Sequence, residues 1–167
     1  MASLNTNELK EILIKGWMTH DGMWFQGCLQ ACGIEQTNKI NRGAVRDMAK
    51  IEVKRMAKAL GVGRVDGFDD LQALLNGISH TLVADFMDIT FSLSRPNQLY
   101  CQMKTCWAHD GIKRIGVIDQ YECGVFDRIS GWFEGLGIDY SVTPEVKECM
   151  MHSQGECHRT YTFDFGA

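Results

Sequence analysis

Apolar residues recur at helical spacing from the start of the chain: Leu13, Ile14, Trp17, Trp24, Phe25, Cys28 and Cys32 share a stripe with the carboxylate Asp21. Asn5, Thr6 or Asn7 can cap this helix, which begins near Glu8 and stops at Gly33, with Gly22 as a point where it can kink or divide. A second stripe of Val45, Met48, Ala49, Val53, Met56 and Leu60 predicts a helix from about Ala44 to Leu60 terminated by "GVG", and Glu52 sits among its apolar members. On the other side Arg42, Arg46, Lys50, Lys54 and Lys58 form a ladder at four-residue steps, the pattern of a solvated face more often than of a surface for an anionic partner. A third helix opens near Phe68, capped by Asp66 or Asp69, and ends between Gly77 and His80.

The period then shortens to two. "FMDITFSLS" and "QLYCQMKTC" alternate on either side of "RPN", an antiparallel hairpin. "AHDGIKRIG" and "VFDRISGWFEGLG" are short helices, the latter ended by Gly135 or Gly137; "IDYSVTPEVKECM" and "CHRTYTFDF" are strands joined by the polar loop "MHSQGE". Helices first and strands mostly later predict an α+β fold, with helices packed on an antiparallel sheet. At 167 residues without a linker, one domain spanning the whole chain is expected. The likeness between "WMTHDGMW" and "CWAHDGIK" does not extend to their flanks, so no duplicated unit is inferred.

Composition narrows the setting. With 45% apolar and 23% charged residues the chain is that of a globular protein, and neither a spanning segment nor a signal sequence is evident, which predicts a cytoplasmic address and no membrane partner. A net charge of −4 disfavours nucleic acid. Nine methionines and four tryptophans suit an adaptable interior that could hold an apolar ligand.

Seven cysteines in a chain of this kind point to thiol ligands or free thiols before disulfides. Cys106 at a strand end, Cys123 in a connection, and Cys149 and Cys157 around the last loop could converge at one rim of the sheet, where zinc takes soft donors at roughly 2.3 Å. His152 and His158 are spare nitrogen donors, and His109 lies three residues past Cys106. Buried thiols that merely fill the hairpin, a Cys149–Cys157 disulfide, or an iron–sulfur cluster on the four thiols are the alternatives. Cys28, Cys32 and Cys101 fall on apolar faces and are assigned to packing.

Asp21 and Glu52 each interrupt an apolar stripe and need partners, since an unpaired buried carboxylate is costly. His20 and Arg55 are the nearest in sequence. They form either an ion-pair network locking the helices or a pocket walled by Trp17, Trp24 and Phe25, in which Asp21 or Glu52, aided by His20, serves as general base and Arg55 helps grip a ligand.

"GWMTHDGMWF", "KIEVKRM", "MKTCW", "ECGVFDRISGWFEGLGI" and "VKECMMHSQGECHRTYTF" together resemble an uncharacterised prokaryotic family of cytosolic proteins with a Trp-x3-Asp-Gly-x-Trp-Phe segment, a Glu-x2-Arg helix and C-terminal cysteines. The C-terminal half is also similar to the 4-vinyl reductase domain of small-molecule sensors, and to the aminothiazoline carboxylate hydrolase family. The sensor resemblance implies Cys149 and Cys157 as zinc ligands; Cys106 and Cys123 match the uncharacterised family's own cysteines. That family carries a further Cys where this chain has His152, so the fourth ligand is open between His152 and Cys123. Relatives with this kind of sheet also imply a homodimer as one option. Three functions are thereby expected: a zinc-containing domain binding a small organic molecule, a small hydrolase of an amide or amidine-type heterocycle, or a structural assembly subunit.

Overall fold

The computed structural model describes residues 3–94 and 97–166. Helix α1, Thr6–Ala59, opens on a capping box: the Asn5 side chain accepts from the Glu8 N–H at 3.0 Å, and the Glu8 carboxylate accepts from the Asn5 N–H at 2.8 Å. The sequence placed two helices here with a gap between Gly33 and Ala44. Instead the helix resumes directly after Gly33, whose φ of 75° and ψ of 172° turn the chain without further loop. On a straight helix Trp17 and Met48 would stand roughly 45 Å apart at 1.5 Å per residue; here both line one groove. The arms of α1 therefore fold back toward each other. Residues 34–43 lack an apolar stripe because their inward face is polar: Thr37 donates to the Gly33 carbonyl at 2.7 Å and Asn38 to the Gln120 carbonyl at 2.7 Å, and both are buried.

Helix α2, Phe68–Leu82, buries Phe68, Leu71, Leu74, Leu75 and Ile78. Its N-cap is Gly67 and not Asp66 or Asp69; the Asp70 carboxylate accepts from the Asp66 N–H at 3.2 Å just outside. Strands β1, Ile89–Ser94, and β2, Gln98–Met103, pair antiparallel as expected, although Arg95 and Pro96 of the connecting "RPN" lie outside the described residues. Next come α3, Trp107–Arg114, a 3-10 turn, Ile118–Gln120, and α4, Val125–Leu136, which Gly137 ends at φ 71°. Strand β3 covers only Asp139–Thr143, shorter than expected. The supposed polar loop contains a short helix, α5, Met150–Gln154, before β4, His158–Asp164.

The sheet is antiparallel in the order β1-β2-β4-β3, and the α+β class expected from the sequence is the one observed. Leu99, Cys101 and Met103 of β2 and Arg159, Tyr161 and Phe163 of β4 alternate inward. Phe133 of α4 meets the Tyr161 and Phe163 rings edge-on at 5.0 and 4.8 Å. No described helix is long and apolar enough to cross a membrane.

The ladder on α1 is only partly solvated. Arg42 pairs with Glu122 and, at 2.6 Å, with Asp127; Arg46 and Lys50 pair with Glu134 at 2.9 and 3.2 Å. Lys54 and Lys58 are the exposed rungs. These pairs form because α4 lies unusually close to α1: a Cβ on Gly131 would stand 2.5 Å from the Arg46 carbonyl oxygen, and one on Gly135 2.8 Å from Lys50 Cα. Replacing Gly131 by Val should force the helices apart and cost about 1–3 kcal/mol, read as a lowered urea midpoint with an unchanged slope.

Candidate thiol centre and aromatic groove

Four of the predicted thiols approach one another from four segments. Cys106 and Cys149 are the residues before α3 and α5, Cys123 precedes Gly124 at the head of α4, and Cys157 leads into β4. Backbone pairing brings them together: the Met103 N–H donates to the Cys157 carbonyl at 2.9 Å, and the Cys123 N–H to the Lys147 carbonyl at 2.7 Å beside the Glu122–Glu148 bridge. The His109 and His152 rings, 6.4 Å apart, join α3 to α5.

Cys106, Cys149 and Cys157 are buried, and the sulfurs sense one another: Cys157 is perturbed by each of the other three. Burial pushes the Cys106 and Cys157 thiols up to about 12 and raises Cys123 and Cys149 as well. Opposing this, peptide N–H groups of Ala108 and His109 favour the Cys106 thiolate, those of Val125 and Phe126 the Cys123 thiolate, and those of Met151 and His152 the Cys149 thiolate. At Cys106 and Cys149 these contacts fall short of a full cap hydrogen bond. Among the described residues, no three His, Cys, Asp or Glu side chains are already drawn into ion-holding geometry.

Arg159 lies beside this group and was not anticipated. Its side chain is 97% buried, being 3% exposed. The guanidinium donates to the His158 carbonyl at 2.6 Å and the Val146 carbonyl at 3.2 Å, touches Met150 Sδ at 3.2 Å, and lies 4.6 Å from the Phe126 ring centre. No described carboxylate pairs with it. Strand parity was the available signal, since Arg159 shares its face with Tyr161 and Phe163. Each of the two histidines has one ring nitrogen on a carboxylate: His152 Nε2 is 2.8 Å from Asp119 Oδ1, and His109 Nδ1 is 2.9 Å from Asp110 Oδ1.

The second predicted constellation divides. Trp17, His20, Asp21, Trp24 and Phe25 line a groove of about 290 Å³ between the arms of α1, faced by Asn41, Val45 and Met48. Glu52 is not in it. Both its oxygens take bonds from Arg128 of α4, at 2.6 and 2.9 Å, and one also from the Trp132 indole N–H at 2.8 Å. Arg55 is exposed and is not the partner of Glu52, because it points off the helix face that α4 covers. Arg128 instead occupies that role, and its guanidinium also lies 4.6 Å from the Trp17 ring centre, at the edge of the groove. Asp21 is raised above 3.8 by burial, an effect that nearby His20 and Arg128 partly oppose. A larger concavity of about 420 Å³ is lined by Arg42, Arg46, Glu122 and Asp127, whose charges are mutually paired.

The match to a family model runs over residues 2–161. The chain belongs to DUF6125, a family of unknown function. This agrees with the resemblance to an uncharacterised family. No curated protein and no solved structure matches the DUF6125 chain significantly.

Two outcomes follow from this geometry. Glu52→Ala strands the Arg128 guanidinium and should cost about 2–4 kcal/mol by denaturant unfolding, whereas Arg55→Ala should be neutral within about 0.5 kcal/mol. Because the folded-state value of Asp21 lies above its unfolded one, its proton stabilises the fold at low pH, and that contribution is lost as pH rises through the raised value. Asp21→Asn should therefore be more stable than wild type at pH 7, with the gap closing below the ordinary carboxyl range in melts taken across pH.

Proposed function

We propose that this DUF6125 protein is a metal-binding domain, with zinc the metal that best suits the donors, which takes a small organic molecule in the aromatic groove of α1. The supporting observation is that backbone pairing draws together the segments that carry four cysteines, beside a buried guanidinium with no carboxylate partner among the described residues. Soft, deprotonated thiolates are the donor class zinc prefers, and bound there it would supply a cross-link between α3, α4, α5 and β4. An iron–sulfur cluster on the same thiols is the alternative cofactor.

The groove supplies the ligand side: tryptophan and phenylalanine walls for a planar group, and Asp21 as the polar contact. Hydrolysis of an amide or amidine-type heterocycle is the second reading, favoured by the raised carboxyl of Asp21, which suits a general base. It would rest on Asp21 and His20 alone, since Glu52 is committed to Arg128 and Trp132.

Elemental analysis and thiol counting test the metal. We expect about one zinc per chain, with thiols unreactive until a chelator is added; less than about half an ion of any metal, and thiol reactivity indifferent to chelation, would overturn the proposal. Visible absorption with iron and sulfide would signal the cluster instead. For the groove, benzamidine, a planar aromatic amidinium, should quench tryptophan fluorescence saturably, and Asp21→Asn should weaken that binding on the order of tenfold. Absence of saturation would count against the groove.

A further inference from the structure

We infer that the outward face of the first arm of α1 is an interface with a second copy of this chain, the two arms packing antiparallel about a two-fold axis that crosses between Gly16 and His20. Neither a metal nor a groove ligand is needed for it.

This arm is amphipathic in the reverse sense. Its charged side chains turn toward the body of the protein: Lys10 donates to the His80 carbonyl at 2.5 Å, Lys15 pairs with Glu11 at 3.0 Å and stands 5.0 Å from the Phe86 ring centre, and Asp21 lines the groove. Its large apolar side chains turn outward, and Leu9, Ile12, Leu13, Met23 and Trp24 are between 48% and 64% exposed. At 3.6 residues per turn these five share one face, and none of Lys10, Glu11, Lys15 and Asp21 falls on it. Scattered exposed apolar residues are ordinary, whereas a contiguous stripe marks a contact surface. At about 200 Å² for a fully exposed side chain of this size, the five present roughly 600 Å². That is the upper end of the largest patch on a typical monomer, and most of the about 800 Å² that each partner buries in a standard interface.

The order of residues along the face points to a second copy as its occupant. Leu9, Leu13, Gly16, His20, Met23 and Gly27 follow one another at alternate steps of four and three, the spacing of a coiled-coil seam, with Ile12 and Trp24 at its flanks. Turned end to end, the seam fits itself: Leu13 meets Met23 of the partner subunit, His20 meets Gly16 of the partner subunit, and Leu9 meets Gly27 of the partner subunit, each contact occurring twice. A side chain at Gly16 or Gly27 would begin with nothing within 4 Å, so both positions are open to receive the group opposite. A two-fold axis sets like against like, and the seam holds no Asp, Glu, Lys or Arg to repel its own copy. Lipid is a poorer fit, because a helix lying in a membrane surface carries basic residues along its polar face. Here the arm's two lysines, Lys10 and Lys15, are held against the body, and the net charge is −4. His20 and Trp24, whose rings stack with centroids 6.3 Å apart, also line the groove, so the second copy's helix would cover its rim.

Sedimentation equilibrium of the full chain tests this. Wild type should sediment at twice the chain mass at tens of micromolar, roughly the weak end for an interface of standard size. Leu13→Lys and Met23→Glu, neither of which lines the groove, should each weaken association at least about tenfold, as central interface residues do. Mixed together, the two variants should pair with each other at near wild-type strength, because their opposite charges face one another only in the antiparallel arrangement. A wild-type chain that stays monomeric at about 100 µM overturns the inference, as does a dimer that both variants leave intact or a mixture that fails to associate. A monomer that floats instead with phosphatidylcholine–phosphatidylserine vesicles assigns the face to lipid and also overturns it. Should either charged variant fail to fold by circular dichroism, Leu13→Ser and Met23→Ser take their place, and a dimer undiminished in both is the overturning result.

Discussion

The close crossing of α4 over the second arm of α1 is the constraint on which the rest depends. Gly131 and Gly135 remove the side chains that would otherwise separate the backbones. At that distance Arg128 reaches Glu52 with both ends of its fork, and Trp132 adds a third donor to the same carboxylate. One residue before Arg128, Asp127 meets Arg42 and Arg46. The head of the same helix sets Cys123 among the thiols and Phe126 under Arg159. The polar face of α4 thus closes α1, and its first turn touches both candidate sites.

The fold class was legible because its evidence is periodic. Stripes at three and four residues gave α2, α3 and α4, and two-residue alternation gave β1, β2 and β4. What escaped was structure whose inward face is polar or small. Residues 34–43 pack through Thr37 and Asn38, so a search for apolar stripes finds nothing there. Gly131 and Gly135 contribute by lacking side chains, and neither propensity nor hydropathy reports a helix contact made that way. Helix α5 was lost to its length of five residues, too short for any period to register.

The candidate site was half legible for a related reason. Cysteine spacing suggested that Cys106, Cys123, Cys149 and Cys157 end neighbouring elements, and backbone pairing does bring their segments together. Partners distant in sequence could not be found by proximity in sequence. Glu52 was matched with Arg55, three residues away on the same helix, whereas its partner Arg128 is 76 residues on. Arg159 was visible only as a charged residue at an inward strand position, and its partners, Val146, Met150 and Phe126, lie far from it in sequence or on other elements.

The corner at Gly33 bears on how the groove is held. Nothing lies within 4 Å of where a side chain at that position would begin, so the two arms of α1 meet at a bare stretch of backbone. The span between them is fixed at the far end, where Lys10 reaches the His80 carbonyl and the Arg128 guanidinium rests on Trp17. Like tweezers clasped at the tips, the arms owe their aperture to these few side chains, with Thr37 bracing the spring through the Gly33 carbonyl, and releasing the tip contacts would let the mouth widen.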